Sequence, residues 1–187
     1  MAAALWPTLA DAAHVLETRG IRFALIGGLA VSLRGQPRMT VDVDLVILAD
    51  IDQALRLAQE LSSTPFEPLF PGVEEVVARS YILPLRHRTT GIRVDVAIGM
   101  SGFEQQAVSR ATKITIGDVR VPVVAVEDLL VMKALAGRPQ DEQDIRGLVA
   151  AQRDAIDWPA CLDVAEKLGE AIDLDIAGRL RTARREM

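Results

Sequence analysis

Two aspartates interrupt an otherwise apolar segment, and this pattern restricts the folds that the chain can adopt. The segment from Thr40 to Leu48 alternates like a β-strand, with Asp42 and Asp44 on one face and aliphatic side chains on the other. The two carboxylates therefore leave the strand on the same side, about 6–7 Å apart at the backbone. Because like charges among apolar neighbours are costly unless they are compensated, the segment indicates a strand that holds a cation.

A third aspartate has the same setting on a second predicted strand. Asp95 lies in the middle of the apolar run from Ile92 to Ile98, and it joins Asp42 and Asp44 if the two strands are neighbours. Magnesium prefers one or two carboxylates together with waters and phosphates. Three acids can hold two magnesium ions about 4 Å apart, which suits phosphoryl-type transfer. We therefore predict a two-magnesium site in which Asp42 and Asp44 bridge the metals and Asp95 lies on the side of the attacking hydroxyl.

A glycine pair precedes the acidic strand and separates a β-favouring run from a helical one. Arg22 to Ile26 favours a strand, Gly27 and Gly28 form a turn, and Leu29 to Leu33 begins a helix. Glycine allows close backbone approach, and a helix N-terminus offers amide donors to an anion. The pair is therefore a candidate phosphate-binding turn.

Hydrophobic periodicity predicts an α/β core at residues 1–125 and a helical segment at residues 126–187 that packs on the same domain. We expect Thr8 to cap the first helix, Pro84 to mark an edge strand, and residues 65–72 to form a loop with at most a short strand. The predicted strands are Arg22–Ile26, Thr40–Leu48, Ser80–Arg86, Ile92–Ile98, Lys113–Ile116 and Val119–Val124, the last two joined at Gly117 and Asp118. The predicted helices are Leu9–Arg19, Leu29–Leu33, Asp50 or Asp52 to Leu61, Ser101–Arg110, Glu127–Ala136, Asp141–Ala151, Trp158–Leu168 and Asp173–Arg185.

The composition fits a folded protein and excludes several classes. A chain of 187 residues with a net charge of -5 is a poor candidate for a general DNA coat or a polybasic membrane binder. Its one cysteine, Cys161, rules out an internal disulfide framework, and no apolar run is long enough to span a bilayer. We therefore expect a cytoplasmic protein with no membrane partner. We also expect His14 and His87 on the surface and Cys161 in the core.

The spaced motifs together resemble a known superfamily. The glycine turn, the segment from Arg38 to Leu45, and Asp95 on the following strand resemble the nucleotidyltransferases related to DNA polymerase beta. The variant they resemble most is the bacterial AbiEii-type toxin group with its minimal relatives. The stretch from Val126 to Ala136, followed by Asp141 and Asp144, resembles the helical signature of that group.

This resemblance implies a mixed β-sheet core with flanking helices, and the transfer of a nucleoside monophosphate from an NTP such as ATP to an acceptor hydroxyl. It further implies magnesium dependence, release of pyrophosphate, and an acceptor that is tRNA or another RNA, a protein or a small molecule. A toxin-antitoxin role with an antitoxin partner belongs to the same expectation. Many members have serine where this chain has Gly28. The alternative is an interaction module that binds metal and nucleotide without turnover.

The resemblance also assigns roles to individual residues. Gly27 and Gly28 would hold the distal phosphates, Asp42 and Asp44 would bind metal, and Asp95 would help to deprotonate the acceptor.

Further residues have both a functional and a structural interpretation. Arg38 and Thr40 directly precede the acids and could add a charge and a hydroxyl to the same triphosphate. The resemblance implies that Lys133 contacts phosphate or nucleotide, whereas its structural interpretation is that it closes a helix C-terminus. Asp141 and Asp144 lie near a predicted helix start, where we expect them as caps, with a catalytic role as the alternative. The arginines at the end of the last helix suit the helix dipole, although an RNA acceptor could also use them.

Overall fold

The computed structural model describes residues 2–117 and 119–186, so the predicted turn residue Asp118 lies outside the described residues. The strands of the described chain are β1 Arg22–Ile26, β2 Asp42–Leu48, β3 Phe66–Pro68, β4 Ile82–His87, β5 Arg93–Ile98, β6 Thr112–Ile116 and β7 Val119–Val123. The helices are α1 Ala2–Thr18, α2 Gly27–Arg34, α3 Ile51–Gln59, α4 Val73–Ser80, α5 Gly102–Arg110, α6 Val126–Ala136, α7 Pro139–Gln152, α8 Trp158–Ile172 and α9 Ile176–Arg185, with 3-10 turns at Glu60–Ser63 and Arg153–Ala155.

The described strands form one mixed sheet in the order β3-β4-β5-β2-β1-β7-β6. The central strand β2 pairs antiparallel with β1 and parallel with β5, and β1 pairs parallel with β7. The predicted mixed α/β architecture is therefore confirmed. None of the described helices combines the length and the apolar composition that crossing a bilayer requires.

The chain divides into two compact units. The first unit consists of the described residues of Met1–Leu29 and Met39–Val123, and the second of Ala30–Arg38 and the described residues of Val124–Met187. In the first unit α1 and α5 pack on the central strands, and α4 packs on β4. In the second unit α6 is largely buried and contacts α7, α8 and α9. Each unit therefore has its own apolar core.

Two helix starts follow from local sequence chemistry. Asp50 accepts the backbone N–H of Gln53, whose side chain in turn accepts the N–H of Asp50, and this capping box fixes the start of α3. Ser101 and Glu104 form the same box at α5. Asp50 is therefore the cap, which decides between the two predicted starts of α3.

The predicted start of α1 is wrong. The helix begins at Ala2 rather than at Leu9, and it contains Pro7 and Thr8. The Thr8 side chain is buried, and its hydroxyl donates a hydrogen bond to the Ala4 carbonyl, four residues earlier. The alanine-rich start of the chain has a high helix propensity, which outweighs the one backbone donor that proline lacks.

The prediction that Pro84 marks an edge is also wrong, because β4 lies between β3 and β5. The Pro84 carbonyl accepts the N–H of Leu69, which comes directly after β3 ends. In an antiparallel pair the N–H and C=O of one residue point to the same neighbouring strand. The N–H that proline lacks would therefore point at the segment just past the end of the short strand β3. In addition, α4 occupies residues for which we predicted no helix, with Val73 and Val77 buried at helical spacing.

His87 is buried at 3% exposure, whereas we expected it on the surface. Its Nε2 lies 2.9 Å from Asp11 Oδ2, and Nδ1 accepts the backbone N–H of Thr90 at 3.1 Å. The ring also packs edge-on against Phe66, with centroids 5.1 Å apart. Both ring nitrogens have partners, so burial costs this side chain little. His14 is exposed and Cys161 is buried, as predicted.

Candidate active site

Three carboxylates lie on one face of the central sheet in the first unit. Strands β2 and β5 are parallel neighbours, and their register places Asp44 beside Asp95 and Asp42 beside Arg93. Directly paired residues of neighbouring strands share a face, so these four side chains form one patch, which we call the acidic face. The three aspartates are partly buried. The strand adjacency that the predicted three-acid cluster required is therefore present.

Two side chains hold individual carboxylates of the acidic face. Arg93 Nε donates a hydrogen bond to Asp95 Oδ1 at 2.8 Å, and the Thr40 hydroxyl donates to Asp42 Oδ1 at the same distance. The hydrogen bond to Asp95 and the charges of Asp95, Asp42 and Asp44 outweigh burial and raise the pKa of Arg93 above its ordinary value. Arg93 is therefore an internal counter-ion of all three acids.

The glycine turn lies directly beside the acidic face. Ile26, the last residue of β1, pairs with Asp44 on β2, and Gly27 follows it with a left-handed φ of 65°. A Cβ atom at this position would overlap the Asp44 carboxylate. Gly27 also begins α2, so the turn leads directly into a helix N-terminus. The turn therefore needs glycine for its backbone conformation and for space.

We expect Gly27→Ala to disrupt the acidic face. Gly20 has nearly the same φ, 66°, and a Cβ atom added there would meet no other atom within 4 Å, so Gly20→Ala is a matched control. Both variants should lose about 1–2 kcal/mol of unfolding free energy to left-handed strain, measured by urea denaturation. Only Gly27→Ala should lose more than this, because it also displaces Asp44. Equal losses would contradict the steric argument.

Magnesium fits the chemistry of the acidic face. Carboxylate oxygens are its preferred protein ligands, and Asp42 and Asp44 project from one strand face beside a turn that only glycine can form. Within residues 2–117 and 119–186, no three acidic, histidine or cysteine side chains stand ready to hold a metal together. Asp95 is turned toward Arg93 and Asp42 toward Thr40. A metal would therefore take one or two carboxylates directly, as magnesium commonly does.

A second group of charges lies in the second unit and contains two predicted site residues, Arg38 and Lys133. Asp144 lies 2.8 Å from Lys133 Nζ and 2.7 Å from Arg38 Nε. Asp141 accepts hydrogen bonds from Lys133 at 3.0 Å and from Arg138 at 2.6 Å. The charges thus alternate along a ladder in the order Arg38, Asp144, Lys133, Asp141, Arg138, which we call the ion ladder.

The middle of the ion ladder is buried. Lys133 is 5%, Asp144 3% and Asp141 0% exposed. Asp141 also accepts the backbone N–H of Arg138 at the start of α7, so the predicted cap is present. The cap accounts for only part of its contacts. Removing one member of such a set would leave its buried neighbours with fewer opposite charges, which is costly.

The pKa of Asp141 predicts an acid-sensitive contribution to stability. Burial alone would raise this pKa, but hydrogen bonds from Arg138 and Lys133 and the charge of Lys133 lower it from 3.8 to about 2. Since the folded pKa lies below the unfolded one, the contribution of about 2 kcal/mol is complete above pH 4 and is lost as the pH falls toward 2.

Urea unfolding of Asp141→Asn at pH 5, 4 and 3 should therefore show a flatter pH dependence than the wild type. Asp163→Asn, which removes an exposed partner of Lys167, is the control and should leave the slope unchanged. A wild-type slope in Asp141→Asn would show that Asp141 titrates normally.

Sequence reasoning missed Arg93. Its signal was the spacing of two residues from Asp95, which places both side chains on one strand face.

The arginines of α9 have specific partners: Arg179 donates to the Ala134 carbonyl, Arg181 pairs with Glu166, and the Arg184 guanidinium lies 5.2 Å from the centre of the Trp158 ring.

Comparison with known families identifies the chain. Residues 4–172 match the family described as nucleotidyltransferase of unknown function (DUF6036). This match covers most of the chain, so the protein belongs to that nucleotidyltransferase family. Among curated proteins, none matches the chain.

Solved structures agree on the fold. An antigenic nucleotidyltransferase-like protein from Paracoccidioides brasiliensis has a TM-score of 0.54 at 22% identity, with 93% of this chain and 91% of that chain covered. ANT(2")-Ia in complex with adenylyl-2"-tobramycin has a TM-score of 0.50 at 13% identity, with 96% of both chains covered. At these identities the likeness establishes a shared fold.

Proposed function

We propose that this nucleotidyltransferase moves a nucleoside monophosphate from an NTP to an acceptor hydroxyl in a magnesium-dependent reaction at the acidic face. The observation that carries the proposal is the register that sets Asp44 beside Asp95, with Asp42 on the same face and the Gly27 turn against Asp44. The glycine turn and a set of carboxylates thus lie side by side in one unit.

Each site residue of the first unit has a defined role in the proposed reaction. The amides that open α2 at Gly27 and Gly28 bind the distal phosphates, since they carry the positive end of the helix dipole. Asp42 and Asp44 would hold magnesium, with Asp95 as a further ligand on the acceptor side, and Thr40 orients Asp42 through its hydroxyl. Bound magnesium would neutralise the triphosphate and lower the pKa of the acceptor hydroxyl.

The transfer step balances without any further reagent. The acceptor oxygen forms a bond to the α-phosphorus, the bond from that phosphorus to the bridging oxygen breaks, and pyrophosphate leaves. The acceptor proton passes to the Asp95 carboxylate, which Arg93 holds in the present structure. Proton acceptance by a positioned carboxylate contributes about 10²–10⁴-fold in enzymes.

Arg38 and Lys133 stay predictions as triphosphate contacts. Within the second unit, the Arg38 guanidinium is partly exposed while Asp144 holds it on two nitrogens. Lys133 is buried between two carboxylates, so it is better placed to hold Asp144, the partner of Arg38, than to contact phosphate directly. In that role Lys133 is a positioning residue.

For the acceptor we propose a macromolecule, an RNA end or a protein hydroxyl, and a toxin-antitoxin role with an antitoxin partner. The support is the sequence resemblance to AbiEii-type toxins over the glycine turn, the acidic strand and the later helical signature. A small-molecule acceptor is the competing outcome. The adenylyl-2"-tobramycin bound to ANT(2")-Ia makes aminoglycosides a reasonable part of any acceptor screen.

The test incubates the protein with each α-labelled NTP, magnesium, and in turn total RNA, cell lysate and an aminoglycoside panel. Transfer of label to one acceptor class is expected, and Asp42→Ala/Asp44→Ala should transfer none. If the wild type labels nothing and equals this variant while still binding NTP, the chain is the non-catalytic nucleotide-binding module instead.

A further inference from the structure

Arg93 is a basic side chain in direct contact with an aspartate of the acidic face. It lies opposite Asp42 in the β2–β5 register and two residues before Asp95 on the same strand face. Its Nε donates to Asp95, and its charge also acts on Asp42 and Asp44. The acidic face thus combines one positive and three negative side chains.

We propose that Arg93 competes with the metal ion for Asp95. Arg93 holds Asp95 in the free protein and must release it before Asp95 can act in the site with metal and nucleotide bound. Arg93 then sets the metal affinity of the acidic face and keeps Asp95 out of use until metal and nucleotide arrive. This inference rests on the proposed function and adds a regulatory residue to the same site.

The exposures of the two partners suit such an exchange. The Arg93 side chain is 52% exposed and the Asp95 side chain 21% exposed. An arginine with half its surface in water can turn outward without leaving a buried charge, whereas Asp95 stays on the sheet. Exposed ion pairs are worth about 0.2–1 kcal/mol, so a divalent cation can displace this one.

The competition also explains the orientation of the acids. The described side chains offer no ready three-acid metal group even though Asp44 and Asp95 are paired in register. One oxygen of Asp95 is hydrogen-bonded along its own strand to Arg93. Releasing Arg93 frees that oxygen to turn toward its neighbour on β2.

The test compares Arg93→Gln with the wild type and needs no turnover. Glutamine keeps most of the side-chain length and removes the charge. Arg22→Gln is the matched control, because Arg22 is an exposed arginine on β1 at the opposite end of the strand from Ile26, the residue paired with Asp44. Manganese is used as the magnesium probe, and its dissociation constant is measured by electron paramagnetic resonance at low ionic strength.

Arg93→Gln should bind manganese about three- to fivefold more tightly than the wild type, because the metal no longer has to displace one exposed ion pair. In EDTA it should also have a lower melting temperature than Arg22→Gln. Added metal should raise the melting temperature of Arg93→Gln more than that of Arg22→Gln. Arg22→Gln should match the wild type in metal affinity.

Two outcomes overturn the inference while leaving the proposed function intact. Unchanged metal affinity in Arg93→Gln would mean that the ion pair is only structural. Weaker affinity would mean that Arg93 assists the metal site rather than competing with it. If the wild type itself binds no manganese with or without NTP, the proposed function fails first, and this inference fails with it.

Discussion

Replacing Asp42 and Asp44 together by alanine should abolish nucleotidyl transfer while the protein stays folded. Both carboxylates are partly buried on one strand face, where they repel each other. Their removal therefore costs little stability but takes away the metal ligands of the proposed site. Metal-ion stabilisation of phosphoryl-type transfer is worth several kcal/mol, so the rate of labelled product formation should fall by at least about a hundredfold.

The control for this experiment is Asp52→Ala/Glu74→Ala, which removes the same charge from two exposed helix positions of the first unit. Its transfer rate should equal that of the wild type, and both double variants should keep the wild-type circular dichroism spectrum. Transfer above about one tenth of the wild-type rate in Asp42→Ala/Asp44→Ala would place the chemistry elsewhere.

Lys133→Met should lower the free energy of unfolding more than any of the other single substitutions proposed for this chain. Lys133 is 5% exposed and lies within 3.0 Å of Asp141 and 2.8 Å of Asp144, which are themselves buried. Breaking a buried ion pair by removing one partner typically costs about 3–5 kcal/mol. Lys133 pairs with two buried carboxylates at once, and after its removal each would keep only one arginine, Arg138 for Asp141 and Arg38 for Asp144. Urea unfolding at neutral pH measures this loss.

Lys167→Met is the matched control, since Lys167 also pairs with a carboxylate, Asp163, but its side chain is 73% exposed. An exposed helix pair of this spacing contributes about 0.3–0.5 kcal/mol. Similar losses in the two variants would show that the ion ladder does not stabilise the second unit.

The sequence predicted the parts of the site that follow from strand periodicity. Asp42 and Asp44 lie two residues apart in an apolar strand, so their shared face could be inferred from the sequence. Asp95 interrupts a second apolar strand, and its place beside them depended on the two strands being neighbours. The glycine turn was likewise predictable, because its position between a strand and a helix is local. What the pattern could not give was the partner of each carboxylate.

Contacts between distant segments were the main source of error. The link between Arg38 and Asp144 joins residues more than a hundred positions apart, and the partner of His87, Asp11, lies on the first helix. Periodicity carries no information on such pairings. Thus Asp141 was expected only as a cap and His87 as a surface residue, while their burial depends on partners that the fold supplies.

Calorimetric titration of the protein with NTPs, with and without magnesium, tests the central claim most directly. The acidic face and the Gly27 turn predict binding of at least one NTP that requires magnesium and disappears in Asp42→Ala/Asp44→Ala. Absence of magnesium-dependent NTP binding by the wild type, or equal binding by the double variant, would contradict the account.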